Sequence, residues 1–306
     1  MAKYIGKRIV AGFLSLFILA TVAFFLTRMM PGSPFETGNV SEKVQEAIEE
    51  QYGLRDPIMV QYKNYMVNLL HGDFGISLKE PGVTVGEVIG RAWPVTAFLG
   101  FLAVIVAAVF GTILGIWQAN TENPVIGGML FVGTILGSSV PNFAAAILFL
   151  LFFAVKLKWF PSMGILTPSC YVLPTAALAL YPTAVITKLM YRACTEEMQK
   201  DYVRMARSKG LPWKKIICVH VLRHALVPVV NYLGPAAAFL VTGSFVVESV
   251  FTIPGLGREF VSAISGRDYT MILGLTVFMG IVVIGMNLVT DILCAWLEPG
   301  RRKETH

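Results

Sequence analysis

His220 and His224 lie four residues apart, a spacing that brings two imidazoles to one face of a helix and could ligate a metal ion. No Cys, Asp or third His stands nearby to complete the set, so the pair reads as polar helix surface. Cys170, Cys194, Cys218 and Cys294 contain no CxxC pair and are too scattered for a disulfide framework or a zinc site. They read as small apolar side chains. Asp291, near the end of an apolar run, could serve a proton relay, but no other apolar run holds an acid or cation to continue one. A structural role beside the headgroups, with Arg301 or a neighbouring chain as partner, is the expectation. GLGREF at 255–260 lacks the third glycine of a dinucleotide loop. The phosphate loop G-x-x-x-x-G-K-[ST], H-E-x-x-H and G-x-S-x-G are also missing. These residues predict a chain that catalyses nothing and binds no metal, ATP or other cofactor itself.

Uncharged polar side chains and one cationic segment remain. Ser138, Ser139, Asn142, Thr183, Thr187, Asn231, Thr242 and Ser244 fall within apolar runs, where they either line a pathway or make helix-packing hydrogen bonds. A pathway lined without charges suits chemically varied cargo. In DYVRMARSKGLPWKK at 201–215, Arg204, Arg207, Lys209, Lys214 and Lys215 stand against Asp201 alone. The wider CTEEMQKDYVRMARSKG predicts a helix with Glu196 and Glu197 early and Arg207 and Lys209 late, a polarity that suits the helix dipole, ended by Gly210 and Pro212. Tyr202, Met205, Ala206 and Lys209 share one face, and Ala206 and Gly210 would let another surface approach closely. Such a helix either lies on lipid or docks a soluble partner. In FTIPGLGREFVSAISGRDY, Pro254, Gly255 and Gly257 break regular structure. That predicts a re-entrant or surface-lying external segment with Phe251, Ile253 and Leu256 at the membrane interface, serving either as an ordinary capped loop or as a gate touching an external protein.

The elements that must position these groups are membrane helices. Of 306 residues, 55% are hydrophobic and only 14% charged, against about 25% charged in a soluble domain. Stretches free of Asp, Glu, Lys and Arg run over 9–27, 92–121, 123–155, 159–187, 225–247 and 269–290. Each holds the ~20 residues that cross a bilayer core, where backbone groups must be satisfied within a helix. The first run is longer than a signal-peptide core and reads as a retained span. Gly133 and Gly137, four apart, predict a face for close helix packing. Nine of the Lys and Arg fall in 188–223, whereas 28–94 holds six beside nine acids. That asymmetry puts both termini in the cytoplasm. The net charge of +6 then reflects topology, and no nucleic-acid partner is expected.

The organisation expected is a cytoplasmic N-terminus and first transmembrane helix over 1–28, an external helical segment over 29–91, and a core of five transmembrane helices over 92–306. The loop 188–224 of that core is cytoplasmic. Within the external segment, Ser41 predicts one helix cap ahead of Val44, Ile48 and Tyr52, with Gly53 as terminator. Asp56 and Pro57 predict the start of a second helix.

DYVRMARSKGL resembles the cytoplasmic EAA loop of binding-protein-dependent ABC importer permeases, and most of all that of the dipeptide/oligopeptide/nickel subgroup, where it reads much like DYVRTARAKGL. RMMPGSP at 28–34, GLRDPIMVQY at 53–62, HGDFGIS at 71–77, SSVPNF at 138–143, VVESVFTIPGLG at 246–257, RDY at 267–269 and NLVTDILCAWLEPGRR at 287–302 follow that subgroup in order and spacing. The general Glu-Ala-Ala positions are here Arg204, Met205 and Ala206, so the loop matches the subgroup more than the generic signature.

The resemblance implies an all-α, six-helix permease with the type I ABC importer fold, of the B-type of oligopeptide/dipeptide permease, in a bacterial or archaeal cytoplasmic membrane. It implies a second, homologous permease as heterodimer partner, two cytoplasmic ATPase subunits that hold ATP and Mg, and an external substrate-binding protein. Glu197, Asp201, Tyr202, Arg204, Met205, Ala206, Lys209 and Gly210 are then the ATPase-coupling residues. Ser139, Asn142, Thr183, Thr187, Asn231, Thr242 and Ser244 are candidates for the translocation path, and Pro254, Gly255 and Gly257 for the external gate or binding-protein contact. Dipeptides, longer peptides and nickel or other metal chelates all remain open as cargo. An ion-coupled secondary transporter is the rival of another class. It predicts a coupling-ion site and inverted repeats, and the sequence displays neither.

Overall fold

The computed structural model describes residues 2–30, 53, 55–80 and 82–297. The helix expected after Ser41, with Val44, Ile48 and Tyr52, lies outside the described residues, as does Arg301. The described elements are helices, with one isolated antiparallel bridge between Ile76 and Thr84. In order they are α1 (Ala2–Met29), α2 (Ile58–Leu70), α3 (Val85–Asn120), α4 (Pro124–Ser139), α5 (Asn142–Lys156), α6 (Val172–Met198), α7 (Asp201–Ser208), α8 (Trp213–Val241), α9 (Phe245–Val250), α10 (Leu256–Gly266) and α11 (Tyr269–Leu297). α5 finishes in a π-helical stretch, Leu150–Lys156, and α8 contains another, Ile216–Val221.

Five helices, α1, α3, α6, α8 and α11, are long and apolar enough to cross a membrane, and α4 with α5 makes a sixth if that pair counts as one span. The run 123–155, read as holding one span, bends by 106° between α4 and α5. Pro141 lacks the N–H that would continue the helix, and it holds Val140 in extended backbone (ψ 122°). Charge located the spans better than their ends. α6 continues past Lys188 to Met198, and α8 begins at Trp213 and stops at Val241, before the positive-φ residue Gly243. Lys and Arg are costly in lipid, but a helix can continue through them. α2 starts at Ile58, one residue later than Asp56 as cap would place it. Pro57 is the cap, and its carbonyl accepts from the N–H groups of Val60 and Gln61.

The chain forms two compact units. Met1–Val95 and Pro254–Val282 make the first. Its core joins Val85, Val88, Ile89 and Ala92 of α3 to Leu256 and Ala263 of α10 and Met271, Ile272 and Leu275 of α11. α3 starts with a reciprocal cap: Glu87 N–H donates to Thr84 Oγ1, and Thr84 N–H donates to Glu87 Oε2. α1 and α2 meet through Phe24, Phe25, Tyr62 and Tyr65, with ring centroids 5.4–5.6 Å apart between the two helices. Asp268 ties the loop at 77–79 to the start of α11. Its Oδ2 accepts from Ser77 Oγ and from the N–H groups of Leu78 and Lys79, while Oδ1 caps α11 by accepting from Met271 N–H at 3.0 Å.

The second unit is Thr96–Ile253 and Val283–His306. α6 is its axis, with Leu178, Ile186, Thr187, Met190 and Cys194 among its buried side chains. α3 meets α6 at glycines. A Cβ on Gly111 would stand 2.7 Å from Ile186, and one on Gly115 would stand 2.6 Å from Met190. α3 meets α8 at Gly100, where a Cβ would stand 2.4 Å from the Leu240 carbonyl oxygen. Of the pair Gly133 and Gly137, only Gly137 is in close packing, against Ala184 of α6, while the space beside Gly133 is open.

Candidate functional site

The cationic segment is built at the end of the second unit where α6, α7 and α8 meet. α7 carries Asp201 in its first turn and Arg207 in its last, each at the favourable end of the dipole. Gly210, with φ +72°, ends it: Gly210 N–H donates to Arg207 O and Leu211 N–H to Ala206 O, so two otherwise orphaned carbonyls are satisfied. Glu196 and Glu197 are not in its first turn, as expected from sequence, but in the last turn of α6. A break at Gln199–Lys200 separates the two helices.

This relocation gives Glu197 a different task. Its carboxylate accepts from Tyr202 Oη and pairs with Lys200 Nζ, which pins α7 to α6. Burial first, and then the Glu197 carboxylate, push the Tyr202 hydroxyl well above the usual phenol range, so it stays a donor. The Tyr202 ring lies 5.8 Å from that of His224 on α8. At the other end of α7, Arg207 stacks over the Trp213 indole at 4.2 Å. Trp213 Nε1 donates to Asn120 Oδ1 at 3.1 Å, and Asn120 Nδ2 donates to Ile116 O at 2.8 Å, so the joint extends into α3.

α7 packs on the π-helical stretch of α8, and Val203, Ala206, Ile216, Ile217 and Val221 are all buried. The surface that approaches Ala206 is thus this chain's own. The outward face offers Asp201, Arg204, Met205, Ser208 and Lys209, with Met205 59% exposed. Among the described residues no group of three His, Cys, Asp or Glu could hold a metal, His220 and His224 included.

The candidate pathway residues are placed as follows. Ser138, Ser139 and Asn142 come together at the α4–α5 bend, and both serine hydroxyls donate to Ile135 O. Thr183 and Thr187 lie one turn apart on α6, with Thr187 Oγ1 donating to Thr183 O at 2.8 Å. Thr242 bonds Phe239 O, and Asn231 is half-buried on α8. Ser244 caps α9 through its carbonyl, which accepts from Glu248 N–H.

Two charged residues missing from the sequence reading belong beside them. Lys188 sits on α6 and donates from Nζ to Ser138 Oγ at 2.7 Å. Glu248 is fully buried and accepts from Thr96 Oγ1 at 3.1 Å. The apolar period continuing through Met190 and Cys194, and the flanking of Glu248 by FVV and SVF, were the available signals.

The segment around Pro254 is neither a surface-lying strip nor a plain loop. Gly255 caps the helix α10, Gly257 is buried in its first turn, and Pro254 is exposed. Phe251, Ile253 and Leu256, expected at the membrane interface, are at most 1% exposed. Phe251 is the C-terminal cap of α9, Ile253 lies in the connection that follows, and Leu256 opens α10. Within the first unit a cavity of about 260 Å³ is lined in part by Lys79, Glu80, Arg91, Glu259 and Ser262, with Arg91 3.9 Å from Glu80 and 3.8 Å from Glu259.

Residues 111–303 match the family model described as binding-protein-dependent transport system inner membrane component, and 1–91 match that of the N-terminal part of such membrane components. The dipeptide transport system permease protein DppB of Bacillus subtilis is 40% identical over 98% of this chain and 97% of its own length. The oligopeptide transport system permease protein OppB of Haemophilus influenzae is 39% identical over 98% and 99%. The inward-facing MetNI methionine ABC transporter shares the fold, with a TM-score of 0.57 at 17% identity over 69% of this chain and 96% of that one. So does an amino acid ABC transporter solved with histidines, with a TM-score of 0.53 at 17% identity over 71% and 94%. The membrane-length helices and these matches agree: the chain belongs to the binding-protein-dependent transport system inner membrane components, as a multi-pass, non-catalytic permease subunit of an ABC importer.

Proposed function

We propose that this chain forms half of the translocation pathway of an ATP-driven peptide importer. Its other half is a second, homologous permease. Two cytoplasmic ATPase subunits bind ATP and Mg, and an external binding protein delivers the peptide. Both termini lie in the cytoplasm, as does the loop after α6 that carries α7. The peptide assignment is supported by the names of full-length relatives.

The observation that carries the coupling role is the two-sidedness of α7. Val203 and Ala206 fix one face to the chain, while Arg204, Met205 and Lys209 are left for a partner. A helix held at one end by Glu197 and at the other by Trp213 moves as a rigid lever. Closure of the ATPase pair displaces it, and the joint passes the displacement to α6, α8 and α3. Pro254, Gly255 and Gly257 lie at the external gate or the binding-protein contact.

The test is ATP-dependent uptake in cells with and without this chain, offered a labelled peptide pool of mixed length and, separately, nickel with and without a chelator. Loss of peptide uptake alone supports the reading, and the lengths lost give the size class. Loss of nickel uptake alone moves the chain to metal import.

A further inference from the structure

Lys188, expected to open the cytoplasmic loop, instead lies ten residues inside the end of α6, a helix long and apolar enough to cross a membrane. α4 runs antiparallel along α6: Gly137 packs on Ala184, while Pro124, Gly127 and Phe131, nearer the start of α4, line one cavity with Tyr191. Ser138 stands about 21 Å along α4 from Pro124 at the helical rise of 1.5 Å per residue. Helical side chains lean towards the N-terminus. The amine of Lys188 accordingly extends towards Ala184 and the α4–α5 bend, away from the end of α6 at Met198. A lysine near a membrane surface would reach for that surface, and this one reaches inward.

A charge at that depth is costly unless it faces water or a counter-charge. Among the described residues the one partner Lys188 has is neutral Ser138, and the residue is exposed in the isolated chain. An ammonium carries three donors, so two remain for whatever passes. The hydroxyls of Ser138 and Ser139 are committed to Ile135 O, so the amine is the strongest group at the bend.

We propose that Lys188 holds the carboxylate of the transported substrate at the α4–α5 bend; this rests on the peptide reading above. Every linear peptide ends in a carboxylate, whatever its side chains. One flexible cation in a lining of hydroxyls and amides would grip that common end without selecting among sequences.

The test uses the assembled transporter with its binding protein in proteoliposomes. It compares uptake of one peptide as free acid and as C-terminal amide, at saturating binding protein. For Lys188→Gln the ratio of acid to amide uptake should fall roughly tenfold or more, the loss of one charge-assisted hydrogen bond. Lys188→Arg should keep the wild-type ratio. Equal loss of both forms, or of neither, in Lys188→Gln overturns the proposal: the first makes the lysine a brace for the bend, the second an idle charge. Lys188→Glu guards against a folding artefact, because a carboxylate contact requires it to disfavour the acid form further still. Absence of any peptide uptake by the wild-type complex would instead defeat the peptide reading itself.

Discussion

Trp213 and Asn120, 93 residues apart in the chain, are joined by one hydrogen bond of 3.1 Å from the indole Nε1 to the amide Oδ1. It closes a path from the outward face of α7, through Arg207 stacked on the same indole, to the end of α3. Trp213→Phe keeps most of the ring packing and strips the donor, leaving Asn120 Oδ1 unpaired at a cost of about 1–3 kcal/mol. The expected result is a complex that assembles and hydrolyses ATP but moves several-fold less substrate per ATP. The ratio measured in proteoliposomes decides: an unchanged ratio would mean that the joint transmits nothing.

Asp268 should be the most sensitive carboxylate of the first unit. Replacing it with Ala removes the acceptor for Ser77 Oγ, for the N–H groups of Leu78 and Lys79 and for the cap of α11. A lost cap alone costs about 1 kcal/mol, and buried donors left without an acceptor add 1–3 kcal/mol. Asp268→Ala should melt several degrees below wild type in detergent, with Asp268→Asn in between. Equal melting of all three would refute the role.

These two joints also mark how far the sequence could be read. Long charge-free runs give the spans because a bilayer tolerates little else, and the resemblance around 201–211 places α7. Helix ends are another matter. Lys188 ended a charge-free run, yet α6 continues through it, since the helix answers to packing of Met190 and Cys194 as well as to charge. Asp268 was readable: an acid immediately before an apolar helix is a cap signature. The bond from Trp213 to Asn120 was not, because no local pattern specifies a pairing across four intervening helices.

Glycines on α3 and α4 should separate by what stands beside them. A Cβ at Gly100 would sit 2.4 Å from Leu240 O and 2.8 Å from Val241 Cα, both backbone atoms that no rotamer change can clear. Gly100→Ala should therefore sharply reduce the folded protein recovered from membranes. At Gly133 nothing lies within 4 Å, and Ala gains helix propensity worth up to about 1 kcal/mol. Gly133→Ala should match or exceed wild-type yield in this chain alone. A loss seen only in the presence of the second permease would show that its surface covers Gly133.

The two faces of α7 make opposite predictions, and that opposition separates docking on a protein from lying on lipid. Val203 is 1% exposed, so Val203→Asp buries an unpaired charge and should unfold the region or block its insertion. Met205 is 59% exposed and Arg204 stands beside it, so Met205→Glu leaves the isolated chain intact. At a protein interface a new carboxylate in an apolar anchor position typically costs more than 1 kcal/mol, and here it also sits beside Arg204 and Asp201, whose charges are 3.6 Å apart. Met205→Glu should then release the ATPase subunits during purification, about tenfold more readily than wild type, with the melting temperature of the permease unchanged. A lipid-lying helix would behave otherwise. The same substitution would alter how the isolated chain sits in vesicles and leave co-purification of the ATPase as before. The pull-down and the vesicle assay, run on one variant, give contrary answers under the two readings.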